Sequence, residues 1–78
     1  LLSLNKAIDL LQAEQYAEAL HTLQGNTHFR ADNLRGVCHM MNGDTEKART
    51  LFQKAVAAGD PQAAENLKQL EELLNRSR

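Results

Sequence analysis

The feature that most constrains this chain is a pair of amphipathic stripes joined at Asn42-Gly43-Asp44, within the stretch Asn33 to Gly59. In the first, Leu34, Val37, Cys38 and Met41 recur at i, i+3, i+4 and i+7; in the second, Ala48, Leu51, Phe52, Ala55 and Val56 recur at i, i+3, i+4, i+7 and i+8. Each pattern is one apolar face of an α-helix. Two such helices with almost no linker must fold back as an antiparallel hairpin, because that is how adjacent stripes bury one another. The predicted class is all-α.

The same pattern extends in both directions. Ala31-Asp32-Asn33-Leu34-Arg35 recurs as Ala64-Glu65-Asn66-Leu67-Lys68 at an offset of 33, and Val37, Met40 and Met41 map onto Leu70, Leu73 and Leu74. Upstream, Leu1, Leu4, Ala7, Ile8 and Leu11 predict a helix to Ala13, with Leu2 and Leu10 widening its stripe. After Ala13-Glu14-Gln15, a further stripe begins at Tyr16, Ala19, Leu20 and Leu23. Ala19 precedes Ala48 by only 29 residues, so the first unit is short, and the loss is placed at the end of its second helix, at Gln24-Gly25-Asn26. Gly25 suits a left-handed C′ position, Asn26 or Thr27 is expected to cap the next helix, and Phe29 to fill the space beneath the shortened one. Asp44 and Asp60 are expected caps, Gly59 a stop, and Pro61 a first helical residue whose missing N–H costs nothing. This gives five helices in one domain, with units at 1–27, 28–59 and 60–78.

Gly36, Gly43-Asp44, Ala48, Phe52 and Ala55 together resemble the tetratricopeptide repeat family, a helix-turn-helix repeat of about 34 residues. Gln15 to Leu20 resembles the opening of that family's second helix, with Ala19 matching Ala48. Gly36 has no Cβ to hold the paired helices apart. The departures are Asp32, Arg35 and His39, which stand where the family carries large apolar side chains. The resemblance implies hairpins stacked as a right-handed superhelix of about two and a half repeats. The last helix carries Gln69 in place of Gly36 and reads as a C-terminal capping helix closing the array.

Charge and chemistry exclude several classes. Nine Lys and Arg balance ten Asp and Glu for a net charge of −1, mixed along the chain, which is unlike a nucleic-acid or anionic-membrane binder. Clustering of Arg30, Arg35 and Arg49 on one face would revive the nucleic-acid reading. No run approaches the ~20 apolar residues of a membrane span. The single cysteine, Cys38, lies on the apolar stripe and reads as a buried structural thiol. His39 points about 100° away from it, and His21 and His28 lie on other elements, so no nucleophile, base or metal set is legible. Glu71-Glu72 reads as a solvated face. No enzyme, metal or cofactor is expected. The chain opens at Leu1, already helical in pattern, and is expected to be part of something longer. Its compartment is not encoded.

What remains is binding, implied by the resemblance. In that family the first helices of successive pairs line a concave groove holding a segment of a partner. Carried over, the groove shows Leu4, Ile8 and Leu11, then Arg30, Asn33, Val37 and Met40, then Asn66, Leu70 and Leu73. The principal candidates are Arg30, Asn33, Val37, Met40, Asn66 and Leu70. The two asparagines suit a peptide backbone and Met40 an adaptable apolar contact; each apolar candidate has the alternative of packing between units. A clamp for a C-terminal carboxylate is disfavoured, because the family's positions for it are Leu4, Ile8, Asn33 and Leu34, of which only Asn33 is polar. The expected function is a protein-protein interaction module or the terminal module of a larger protein, with a protein or peptide segment as partner. The alternative is structural: array capping, or self-association of two copies.

Overall fold

The computed structural model describes the backbone of residues 2–76 and the side chains of residues 4–76. Among the described residues run five helices and no strand: α1 (Leu2–Gln12), α2 (Tyr16–Thr22), α3 (Phe29–Met41), α4 (Thr45–Ala57) and α5 (Pro61–Arg76). Leu1 and the side chain of Leu2, from the first predicted stripe, and the terminal Ser77 and Arg78 lie outside the described residues.

Three of the connections are one motif. The N–H groups of Gln15, Asp44 and Asp60 donate back across the last turn to the carbonyls of Leu10 (2.8 Å), His39 (2.8 Å) and Ala55 (3.0 Å). The residue before each donor is left-handed: Glu14 at φ 60°, Gly43 at 86° and Gly59 at 99°. This closure satisfies helix-terminal carbonyls and reverses the chain within a few residues. The first hairpin achieves it with a glutamate where glycine is the natural residue. Asp44 and Asp60 then cap α4 and α5 by accepting from the N–H groups of Lys47 (3.4 Å) and Gln62 (3.0 Å), whereas the Gln15 side chain makes no such bond.

The connection between α2 and α3 is built differently. His28, rather than Asn26 or Thr27, caps α3: its Nδ1 accepts from the Arg30 N–H at 3.1 Å, and Asn26 Oδ1 accepts from the His28 N–H at 3.0 Å. The His28 ring stacks on half-buried Phe29 with centroids 4.4 Å apart. With seven residues against thirteen in α4, α2 stops early, and Arg35 reaches its end. One guanidinium nitrogen donates to the carbonyls of Leu23 and Asn26 (the latter at 2.7 Å), the other to Asp32 Oδ1 at 2.9 Å. Lys54 Nζ stands 3.9 Å from the second Asp32 oxygen. Asp32 and Arg35, the departures from an apolar pattern, thus bridge α3 to the end of α2 and to α4.

The core is shallow, as extents of 38 × 26 × 16 Å require when one helix with its side chains is about 10–12 Å across. One cluster joins Leu4, Ala7, Leu23 and Ala31 with Leu34; the other joins Ala48, Phe52 and Leu70 with Val37, Met40, Leu67 and Leu74. Small buried residues (Ala19, Ala48, Ala55, Ala63 and Gly36) let the backbones approach. The exposed polar residues Glu65, Lys68, Gln69 and Glu72 cover the rest of α5, at the end of the stack.

Candidate interaction surface

Two contacts fix how α3 and α5 lie. Asn66 Nδ2 donates to Asn33 Oδ1 at 2.9 Å, and Arg30 and Gln62 line one depression together. The partners differ by 33 and 32 residues, so the helices run parallel and in register, with α4 turning back between them. The depression holds about 140 Å³ and is walled by Leu4 and Ile8 of α1, Arg30, Asn33 and Leu34 of α3, and Gln62 of α5. The first helix of each unit therefore contributes to one concave face.

The far end of that face follows from helix geometry. Met41 lies eleven residues beyond Arg30, and Leu73 eleven beyond Gln62. Eleven residues return to within about 20° of the starting direction and advance roughly 16 Å. Met41 and Leu73 therefore stand on the face that carries Arg30 and Gln62. Ile8, Met41 and Leu73, at 39%, 55% and 52% exposure, are the large apolar side chains that the described residues leave in solvent. All three lie on the side that carries the depression, Ile8 in its wall and Met41 and Leu73 roughly 16 Å along it. A larger depression of about 400 Å³, lined by His39, Glu46, Lys47, Thr50 and Leu51, lies elsewhere: His39 is nine residues past Arg30, half a turn around α3. None of those three exposed side chains lines it.

The residues expected in the groove divide. Arg30 is exposed on the concave face, and its guanidinium makes no ion pair or hydrogen bond among the described residues. Asn33 and Asn66 are bonded to each other, with Asn33 only 6% exposed. Among the described residues, the Asn33 amide nitrogen and the Asn66 amide oxygen have no other partner. Val37 and Met40 are half-buried against the second core cluster. Leu70 is corrected: at 1% exposure it is a core residue and lines no groove. Met41, expected in the buried stripe, is the exposed methionine, because α5 covers the Met40 side of α3. Gln62 joins the surface without having been expected there, and Leu34, named for the groove only as a clamp position, lines it as well. No sequence signal marks Gln62, because the repeat offset of 33 aligns Arg30 with Ala63.

The remaining chemistry is dispersed. Arg35 is occupied by the end of α2, Arg49 lies 3.9 Å from Glu46, and Arg30 faces the groove, so these arginines share no basic face. Cys38 is fully buried, and burial raises its thiol pKa above the ordinary value. Among the described residues, no helix is long and apolar enough to cross a membrane.

An all-α stack of tight helical hairpins, with the first helix of each pair on a concave face, is a helical-repeat architecture. The model of the tetratricopeptide repeat-like domain family matches residues 4–75, and the chain belongs to that family. Comparison with curated proteins and with solved structures finds no match. Domains of this family are typically non-catalytic and serve protein interaction and scaffolding.

Proposed function

We propose that this chain docks a segment of a partner protein on the concave face of α1, α3 and α5, with no catalytic step. The observation that carries this reading is the alignment of Ile8, Met41 and Leu73 along one side of the chain, Ile8 at the depression and Met41 and Leu73 roughly 16 Å further along. Exposed large apolar side chains gathered on one side of a chain suit an interaction surface better than the same residues scattered around it. Asn33 and Asn66 supply a free amide nitrogen and a free amide oxygen beside that surface, the pair of groups a peptide backbone requires. Arg30, Val37 and Met40 flank it. Leu70 supports the floor from within.

A photo-crosslinking amino acid at Met41, introduced in the native cell and read by mass spectrometry, tests this reading. A discrete adduct with another protein supports it. Adducts only with a second copy, or none, would replace it with the structural reading.

That second reading has its own support in α5, where Gln69 replaces the close-packing glycine and the exposed side is charged. A helix of this kind closes an array. Removing residues 61–78 would uncover Val37, Met40 and Phe52 and is expected to unfold or aggregate the remainder. A truncated chain that melted cooperatively as a monomer would leave α5 no capping role.

A further inference from the structure

Resting on the concave-face reading, we infer that the partner segment carries one apolar anchor side chain for the Leu4–Ile8–Leu34 depression and a carboxylate for Arg30. The depression, about 140 Å³, is close to the size of cavity that takes a benzene ring, so it accepts one branched aliphatic or aromatic side chain. Its walls are apolar on the α1 side and polar at Arg30, Asn33 and Gln62, and no carboxylate lines it.

Arg30 is the cation that lines the depression, and it has no ion pair among the described residues. It is the second residue of α3, where a cation opposes the helix macrodipole, so it does not serve helix stability. The acid nearest in sequence, Asp32, is already engaged by Arg35 and Lys54. Arg35 and Arg49 each have an acidic partner, at 2.9 and 3.9 Å, whereas the Arg30 guanidinium has none among the described residues. An exposed guanidinium beside an apolar depression offers a planar fork to a carboxylate. An anchor and an acid reach both groups when they are neighbours on one side of the segment: two apart if it is extended, three or four apart if it is helical.

The test uses a phage-displayed library of short random peptides panned against the purified chain, in parallel with Arg30→Glu and Ile8→Asp. Arg30 is exposed and Ile8 is 39% exposed, so both variants should keep the helical circular dichroism of the parent chain, with Ile8→Asp melting somewhat below it. The expected result is enrichment of peptides with Asp or Glu within about four residues of an aliphatic or aromatic side chain. Such peptides should bind Arg30→Glu about tenfold more weakly or worse, as expected for a lost charge-assisted contact. Panning on Arg30→Glu should select Lys or Arg in place of the acid. Peptides that lose binding with Ile8→Asp but ignore Arg30→Glu would overturn the carboxylate inference and leave the docking face standing. Peptides insensitive to both variants, or no enrichment at all, would overturn the carboxylate inference and the docking face together.

Discussion

The ring of Phe52 lies against the backbone of Gly36: a methyl group built at position 36 would stand 2.5 Å from Cε1 and 2.6 Å from Cδ1 of that ring. Ordinary carbon contacts are about 3.5–4.0 Å, so α3 and α4 are closer here than any side chain at position 36 allows. Phe52 is fully buried and packed in the cluster with Ala48 and Leu70, so its ring can retreat only by displacing core neighbours. Gly36→Ala gains about 1 kcal/mol of helix propensity and loses more to overpacking, with overpacking worth typically 1–3 kcal/mol. The expected outcome is a lower melting temperature. In a double-mutant cycle, Phe52→Leu should be less harmful in the Gly36→Ala background than alone. A rise in melting temperature on Gly36→Ala would mean that the close approach is absent.

The first hairpin should be improvable. Glu14 sits at φ 60°, a conformation that costs a non-glycine residue roughly 1–2 kcal/mol, part of which Glu14→Gly returns as added freedom of the unfolded chain. Gln15, at φ −99° and ψ 72°, has nearly the backbone of Asp44 at −93° and 76°, yet lacks its capping bond. Gln15→Asp should therefore gain about 1 kcal/mol as a cap. Each change is expected to raise the melting temperature by several degrees, since 1 kcal/mol is about 4–8 °C in a domain of this size. If Glu14→Gly lowers it, position 14 carries no strain.

Arg35 substitutes for length that α2 does not have. Arg35→Ala would leave the carbonyl of Asn26 and one oxygen of the mostly buried Asp32 without the guanidinium, and the carbonyl of Leu23 with only the Asn26 N–H. Hydrogen bonds to charged groups contribute about 1.5–3 kcal/mol, and the guanidinium is partly exposed, so a total loss of about 2 kcal/mol is expected. The loss should be local: hydrogen exchange should accelerate in α2 more than in α4. Uniform acceleration would show that Arg35 serves the whole core rather than the first repeat.

Burial of Cys38 raises its thiol pKa, so the folded chain holds the neutral thiol more tightly than the unfolded chain does. The stabilisation this gives is complete below the unfolded thiol pKa and is lost as pH rises through the folded value. Stability should therefore decline above about pH 9, and Cys38→Ala should remove that part of the decline. At pH 8 the thiol should react with a disulfide reagent only as fast as the chain opens. Rapid reaction in the native state would contradict a buried thiol.

Much of this fold was legible because helix period and turn chemistry are local. Asn42-Gly43-Asp44 and Gly59-Asp60-Pro61 marked their turns by residue type, and the offset of 33 that aligned Asn33 with Asn66 is the register at which they bond. What was not legible depends on neighbours. Glu14 adopts a glycine conformation because the closing bond to Leu10 and the hairpin demand it. Arg35 looked like a defect in an apolar stripe until the end of α2 came within its reach. Met40 and Met41 differ by only 100° around α3, and a stripe cannot say which of them α5 will cover.

That ambiguity gives the sharpest separation of groove from core. Leu70 is 1% exposed and touches the cluster around Phe52, whereas Met41 is 55% exposed on the concave face. A chain of 78 residues has roughly 4–12 kcal/mol of stability, and an unpaired carboxylate in the core removes a large part of it. Leu70→Asp is therefore expected to lose cooperative melting. Met41→Asp should stay within about 0.5 kcal/mol of the parent chain, as surface changes do, while losing whatever partner the concave face holds. Circular dichroism melts of the two variants, followed by crosslinking in the Met41→Asp background with the photo-reactive residue moved to exposed Leu73, check both halves. If Met41→Asp unfolds the chain, Met41 is core; if it melts normally and still binds, the concave face is not where the partner docks.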